Sequence, residues 1–447
     1  METRVYSPTA ILGYGFPLES HERAIREGFD VIAVDAGSTD PGPYYLGEGV
    51  GFVPEKAIER DLRLLVRAAL EQGVPLLIGT AGGAGAKPHV EATLRILKRV
   101  LVKEGLKARV AVIYTDVSKE TLYSYMEEGR RIEPLPGAPP LTREAVEGSA
   151  RIVAQIGVEP FLEGLKAGAD IVLAGRSVDV APFSAVPIAR GHDWGLAIHM
   201  AKVLECGAIA ADPGSGSDGM MGVIRGDHFQ VYPLNSRRKA TVTSVAEHAL
   251  YERRDPYREC IPGGCADLSQ SEYSEEDGIV TVRGTRWVPA QARMVKLEAA
   301  RLAGYRTVWI AGARDPGFIE RHKELIRQAE EHVRSLLPGD YRVYWRVYGV
   351  NGVMGEREPL PRPGHEIAVM AEVVAGDPET SKTVAGLLRS TLLHLGWPGR
   401  KTTAGNLAFP LSPSDLPAGK AYEWSIWHLV EERDPVEHAR IRVAEHG

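Results

Sequence analysis

The sequence has 447 residues, of which 44% are hydrophobic and 25% are charged, so it is long enough for two or three domains with sizeable cores. Its 53 Lys and Arg against 59 Asp and Glu give a formal net charge of −6, and neither sign forms a block, which excludes the basic face of a nucleic-acid-binding protein. No apolar stretch reaches the roughly 20 residues of a membrane-spanning helix, and the polar residues 1–5 do not resemble a signal peptide. We therefore expect a soluble, cytoplasmic protein without nucleic-acid or membrane partners.

Between residues 5 and 212, short apolar runs alternate with longer helical segments. The predicted strands, each rich in Val, Ile, Leu and Ala as in strands buried on both faces, are Ala10–Tyr14, Asp30–Ala36, Leu76–Thr80, Arg109–Thr115 and Asp170–Ala174. The predicted helices, each with an apolar stripe, include Glu55–Glu71, His89–Glu104 and Pro160–Ala167. This alternation favours an α/β domain with a parallel, doubly wound, Rossmann-like sheet; a partial barrel is the competing topology.

The rest of the chain changes character twice. Residues 222–290 contain short strands such as Phe229–Tyr232 and Ile279–Val282, which favour an antiparallel β section. After about residue 292, alternating strands combine with long helices, as in a compact α+β unit of ferredoxin-like kind, and the charged residues from Glu431 onward are expected to fray. We therefore predict an α/β domain at 1–221, a β-rich connecting section at 222–291 and an α+β ferredoxin-like domain at 292–447.

Acidic residues follow several of the predicted strands. Asp35 ends the second strand and Asp116 follows the fourth, while Asp179 lies in the segment after the fifth. Ligands of open parallel sheets bind beyond the carboxyl ends of the strands, so repetition of this pattern indicates a site. Each aspartate alone could equally serve as a helix cap.

The glycine-rich segment after the third predicted strand, 79–89, could bind an anion. It matches neither the P-loop nor the dinucleotide-binding pattern. Gly82, Gly83 and Gly85 nevertheless allow the backbone to approach a ligand, and the start of the next helix with Lys87 beside it would attract a carboxylate or phosphate. The alternative is a tight turn that binds nothing.

The segment 175–179 resembles a nucleophile elbow but has Asp179 in place of the second glycine, which argues against a serine hydrolase. Arg176, next to Ser177, is better interpreted as a bidentate partner for a substrate carboxylate, although a structural Arg–Asp pair explains the residues nearly as well. His89 is a candidate partner acid. His199, on a predicted helix, is a secondary candidate.

The cysteines give little indication of a metal or redox site. Cys260 and Cys265 flank a Pro-Gly-Gly turn and Cys206 stands alone, without the paired short spacings of a zinc site. Three cysteines do not form a disulfide framework, and we interpret them as incidental.

Several motifs together resemble those of the acyclic terpene utilisation AtuA-type family. The segments that carry the resemblance are Leu12–Gly15, Asp35–Gly42, Gly79–Gly85, Ala174–Asp179, Leu250–Tyr257 and Pro262–Ser269. The resemblance implies an α/β body followed by a ferredoxin-fold region, and a place in the catabolism of branched or short carboxylic acids and their thioesters. It assigns no catalytic residues.

The leading hypothesis is an enzyme that removes a proton next to a carbonyl in a small carboxylate or acyl-CoA, as a hydratase, dehydratase or isomerase. Asp35, Asp116 or Asp179 would be the general base, and the glycine loop with Lys87 and Arg176 would hold the substrate. In one alternative, the same carboxylates hold Mg²⁺ or Mn²⁺ for a metal-dependent lyase or hydrolase. In another, the chain is a non-catalytic metabolite-binding or assembly subunit. A nucleotide-dependent enzyme is a further choice, and we expect a homo-oligomer or a small second subunit.

Overall fold

The computed structural model describes residues 1–401 and 403–447. Its helices are α1 (Leu18–Glu27), α2 (Tyr44–Glu48), α3 (Glu55–Gln72), α4 (Lys87–Glu104), α5 (Lys119–Glu127), α6 (Arg143–Gly148), α7 (Glu159–Lys166), α8 (Ala181–Ala189), α9 (Trp194–Leu204), α10 (Val242–Leu250), α11 (Pro316–Leu336) and α12 (Pro378–His394). Its strands are β1 (Thr3–Ser7), β2 (Val31–Val34), β3 (Leu76–Ile78), β4 (Ala108–Tyr114), β5 (Ile132–Pro134), β6 (Ser149–Gln155), β7 (Ile171–Ala174), β8 (Met220–Ile224), β9 (His228–Pro233), β10 (Arg258–Ile261), β11 (Gly264–Asp267), β12 (Glu272–Glu276), β13 (Ile279–Arg283), β14 (Arg286–Pro289), β15 (Met294–Ala313), β16 (Tyr341–Tyr348), β17 (Ile367–Ala375), β18 (Leu416–Glu431) and β19 (Arg440–His446).

The chain forms two compact units. The first consists of residues 1–301 and 424–447, and the second of residues 302–423. Within the described residues 1–401 and 403–447, no helix is both long enough and apolar enough to cross a membrane.

The first unit is built on a mixed sheet with the strand order β12-β13-β9-β8-β1-β2-β3-β7-β4-β19. Strands β1, β2, β3, β7 and β4 are parallel to their neighbours in this set, and all of them except β1 correspond to predicted apolar runs. The flanking strands pair antiparallel on both sides, so the sheet is not purely parallel. Strands β8, β9, β12 and β13 show that the section predicted as a connection extends this sheet.

Helices cover both faces of the parallel strands. Along β2, Val31 and Ala33 face the core that contains α8 and α9, whereas Ile32 and Val34 face the core that contains α3 and α4. The two sets alternate because successive side chains of a strand point to opposite faces. Burial on both faces explains why this strand is apolar throughout.

The second unit combines a sheet with two helices. Its elements follow one another as the end of β15, α11, β16, β17, α12 and the start of β18, and its strands lie in the order β16-β17-β15-β18. Trp309 in β15 is fully buried, and its indole N–H donates to the carbonyl of Ala385 in α12 at 3.0 Å. Helices and sheet therefore share one core.

Two sequence predictions about local structure were wrong. The segment Ala10–Tyr14 forms turns instead of a strand, because Gly13 and Gly15 have positive φ and both donate their N–H to the Asp61 carboxylate. The end of the chain does not fray: β19 pairs with β4 along its whole length, so a charged strand covers the edge of the sheet.

Candidate functional site

Two loops meet at the carboxyl ends of the adjacent strands β3 and β7. The N–H of Ser177 donates to the Thr80 hydroxyl at 3.3 Å, and both residues are fully buried. The helices that follow, α4 and α8, pack on opposite faces of the sheet. Adjacent parallel strands whose connections leave on opposite sides create a crevice, which is where open α/β sheets bind ligands.

The glycines of the loop after β3 allow it to pack closely against the loop after β7. A Cβ on Gly85 would lie 2.2 Å from the Arg176 backbone nitrogen, and the φ of Gly85 is +68°. The N–H of Gly83 donates to the carbonyl of Thr80, and that of Gly85 to the carbonyl of Ala81. These two amides of the predicted anion site therefore already have partners inside the loop.

Backbone strain occurs in the same loop. Thr80 has a φ of +37°, which is unusual for a β-branched residue. Its hydroxyl accepts from the Ser177 N–H and the Arg176 guanidinium, both at 3.3 Å. Such conformations cost about 1–3 kcal/mol and concentrate at functional sites, and here the contacts with the β7 loop hold it in place.

Asp116 and His89 are directed toward other groups. One Asp116 oxygen accepts the Lys87 N–H at 3.0 Å, so Asp116 provides the anion at the start of α4, while the Lys87 side chain is exposed. His89 is buried, and its Nε2 lies 3.1 Å from the carbonyls of Tyr45 and Val50. Because both partners are acceptors, Nε2 carries the proton. Neither residue is brought together with Asp35 and Asp179.

Arg176 is held by a carboxylate from a distant segment. Its Nε lies 2.9 Å from Oε2 of Glu298 and its Nη2 lies 3.3 Å from Oε1, and both side chains are almost fully buried. Lys296 contacts Glu298 at 2.7 Å, and Arg176 also reaches Asp179 at 3.4 Å. Arg176 is therefore paired within the protein, where it positions the loop that carries Asp179.

Asp35 and Ser177 lie close together, and Asp179 is near enough for its charge to act on Asp35. A Cβ on Gly79 would lie 3.0 Å from an Asp35 oxygen and 3.1 Å from the Ser177 hydroxyl, so these two side chains flank the same glycine. Burial raises the pKa of Asp35, and the charge of Asp179 raises that pKa further, while Arg176 opposes the shift. The side chain of Asp179 is 46% exposed, unlike its neighbours.

Sequence reasoning missed a second group of charges beside Asp179. Lys202 and Glu205 form a buried pair at 2.5 Å near the end of α9, and Glu259 lies nearby with 16% of its side chain exposed. Burial raises the pKa of Glu205 and of Glu259; Lys202 lowers both, and Asp179 raises both. The charge of Asp179 therefore acts on Asp35 in the first group and on Glu205 and Glu259 in the second. The available signal was Lys202 in α9, whose sequence is apolar apart from this lysine and His199.

Cysteine and histidine also occur in this second group. One atom each of Glu205, Cys206 and His248 lies within 4.8 Å of the other two, so these side chains could hold a metal ion. The carboxylates predicted as ligands of Mg²⁺ or Mn²⁺ do not form one set, because Asp116 lies apart. Cys260 and Cys265, interpreted from the sequence as incidental, form a disulfide across the β10–β11 hairpin.

The comparison with protein families agrees with the motifs. A family model described as acyclic terpene utilisation family protein AtuA matches residues 50–214 and 234–408. The chain belongs to the AtuA family. The segments that match this AtuA family contain both charge groups except Asp35, which precedes the first segment. No curated protein and no solved structure matches the chain.

Proposed function

We propose that this AtuA-family protein is an enzyme that removes a proton next to a carbonyl in a small carboxylate or acyl thioester, as a hydratase, dehydratase or isomerase does. The observation that carries the proposal is the position of Asp179. Its carboxylate is half-exposed, whereas the ionisable groups around it, which include Asp35, Arg176, Lys202 and Glu205, are buried. A substrate that enters the crevice would meet Asp179 first, with both signs of charge behind it.

In this proposal Asp179 and Asp35 have different roles. Asp179 is the general base that takes the proton from the carbon next to the carbonyl, and the electron pair moves onto the carbonyl oxygen. Asp35 is the acid: because burial raises its pKa, it keeps a proton that it can share with the developing enolate or give to a departing hydroxide. In other enzymes with two carboxyl groups in different environments, the more buried group stays protonated and acts as the general acid, while the other stays ionised.

Proton exchange tests the base. The protein is incubated in D₂O with a panel of carboxylates and acyl-CoA thioesters, and deuterium incorporation next to the carbonyl is followed by mass spectrometry. We expect Asp179→Asn to lower the exchange rate by about 10²–10⁴-fold, with the main effect on kcat. Asp227→Asn, which changes an exposed aspartate in the β8–β9 turn, is the matched control. Exchange at the wild-type rate in Asp179→Asn would overturn the assignment.

The acid is tested separately. Asp35→Asn keeps a neutral donor at the same position, whereas Asp35→Leu removes it, so the asparagine variant should retain more activity than the leucine variant. Equal loss in both would argue against a hydrogen-bonding role. Binding of a ligand without exchange or conversion would instead favour a metabolite-binding subunit.

We also infer finer fold relationships for the two units. Helices on both faces of the parallel strands support a doubly wound, Rossmann-like arrangement for that part of the first unit. The order of elements in the second unit, with the strand order β16-β17-β15-β18, supports a ferredoxin-like arrangement.

A further inference from the structure

Three different donor groups meet where α9 ends and α10 passes it. Glu205 and Cys206 directly follow α9, and His248 lies in α10. One carboxylate oxygen, the thiol sulfur and one imidazole nitrogen lie within 4.8 Å of one another. Glu205 and His248 are each 5% exposed, so two of the three groups are almost completely shielded from water.

The imidazole of His248 has an unused nitrogen. Its Nε2 is buried and has no hydrogen-bond partner. When the proton of the neutral ring is on Nδ1, the lone pair of Nε2 is free to bind a metal ion. A buried nitrogen without a partner costs about 1–3 kcal/mol, which a bound ion would relieve.

The charges around the cluster favour a cation. Four carboxyl groups interact electrostatically with one another or with Cys206: Asp179, Glu205, Glu252 and Glu259. The neighbouring cations are Lys202 and Arg253. Lys202 contacts Oε1 of Glu205, while the carboxylate has a second oxygen. The carboxyl groups outnumber the cations, and a bound divalent ion would stabilise the ionised forms of these carboxyl groups.

We propose that Glu205, Cys206 and His248 bind one divalent transition-metal ion of the zinc class. A thiolate and an imidazole exclude Mg²⁺ and Ca²⁺, which prefer oxygen ligands only, and suit Zn²⁺ or Co²⁺. Three protein ligands leave the fourth tetrahedral position for water or a carbonyl oxygen. The thiol proton is released when the metal binds. A cavity of about 730 Å³ is lined by His248 and Tyr251, so one of the three ligands borders an open cavity.

This site differs from the hard-metal site that the sequence suggested, in both its ligands and its metal. Any part of the ion in polarising a substrate carbonyl rests on the proposed function. Binding of the ion does not, so binding is measured without substrate, and its outcome is independent of the proton-exchange assay.

The experiment uses the full-length protein, stripped with a chelator and dialysed. Zn²⁺ alone is titrated by calorimetry, and Co²⁺ alone is followed by absorption, where a sulfur-to-cobalt charge-transfer band reports the thiolate. We expect one ion per chain and a charge-transfer band that disappears in Cys206→Ser. His248→Gln should weaken Zn²⁺ binding by about 100-fold or more. His332→Gln, an exposed histidine in α11, is the matched control and should bind as the wild type does.

Thiol reactivity gives a second readout that needs no variant. Cys206 is the one thiol left among the three cysteines, because the other two form the disulfide. Zn²⁺ should slow alkylation of Cys206 in the folded wild type, and this measurement decides the matter if a variant does not fold. The proposal is overturned if the wild type binds no stoichiometric Zn²⁺, if Zn²⁺ leaves the alkylation rate unchanged, or if Cys206→Ser and His248→Gln bind Zn²⁺ as tightly as the wild type.

Discussion

Replacement of Glu298 by glutamine should destabilise the first unit strongly. Glu298 makes two contacts with the Arg176 guanidinium, at 2.9 and 3.3 Å, and both side chains are at most 4% exposed. Loss of Glu298 leaves the buried Arg176 charge with only the 3.4 Å contact to Asp179, and breaking a buried pair in this way costs about 3–5 kcal/mol. Using about 2 °C per kcal/mol for a large unit, we expect the melting temperature to fall by roughly 6–10 °C. Differential scanning calorimetry measures the shift.

The pH dependence of that variant follows from the same pair. Burial alone would raise the pKa of Glu298, but Arg176 and Lys296 lower it below the ordinary value of 4.5. A carboxyl whose pKa is lowered by folding stabilises the protein above its unfolded-state pKa, and this stabilisation is lost as the pH falls through the folded-state pKa. Glu298→Gln should therefore lose part of the acid-dependent destabilisation that the wild type shows.

Two comparisons separate the ion pair from other effects. Glu163→Gln removes an exposed pair with Lys166 in the same unit and should leave the melting temperature almost unchanged. The double variant Arg176→Met with Glu298→Leu removes both charges and should recover most of the loss. The reasoning is refuted if Glu298→Gln shifts the melting temperature no more than Glu163→Gln, or if the double variant is less stable than the single one.

Three further predictions concern stability. Gly85→Ala should lower the free energy of unfolding, measured in urea, by about 2–5 kcal/mol, because the added Cβ would lie 2.2 Å from the Arg176 backbone nitrogen and φ is positive. Gly73→Ala has a similar φ but open space around the added Cβ, and it should cost about 1–2 kcal/mol. Equal values for the two variants would contradict the packing argument. Asp218→Asn should cost about 2–4 kcal/mol, because this fully buried carboxylate accepts from a hydroxyl, an amide, a guanidinium and a backbone N–H; a change below about 0.5 kcal/mol, the size of an ordinary surface substitution, would refute the prediction. Burial lowers the pKa of His21 from 6.5 to about 4. The unfolded state therefore binds a proton more readily, and the free energy of unfolding should fall by about 3 kcal/mol as the pH is lowered from 6.5 to 4. His21→Gln should make the free energy of unfolding depend less on pH in this range.

The sequence predicted the individual elements better than their arrangement. The apolar runs identified β2, β3, β4 and β7, and the sequence analysis grouped Asp35 and Asp179 because each follows a predicted strand; in the sheet, β2 and β7 both neighbour β3. It also grouped Asp116 with them, but the strand order is β2-β3-β7-β4, so the end of β4 lies three strand spacings, about 14 Å, from the end of β2. Strand order depends on long-range packing, which periodicity does not encode.

The missed residues show the same limit. Glu298 lies 122 positions after Arg176, and no local pattern connects them. His248 reaches Glu205 and Cys206 only because α10 packs beside the end of α9. The cysteine pair was misinterpreted because the sequence indicates a Pro-Gly-Gly turn but not the register of the β10–β11 hairpin, which places Cys260 opposite Cys265.

The crevice at the ends of β3 and β7 is better explained by function than by stability. Buried charges such as Arg176, Glu298, Lys202 and Glu205 must be removed from water, and apolar residues of the same volume usually give an equal or greater free energy of unfolding. Thr80 adds backbone strain at the same place. The surrounding strands are packed with apolar side chains, so the fold is able to fill this region without charges. A region that concentrates these costs and leaves the Asp179 carboxylate half-exposed has the physical properties of a candidate functional site.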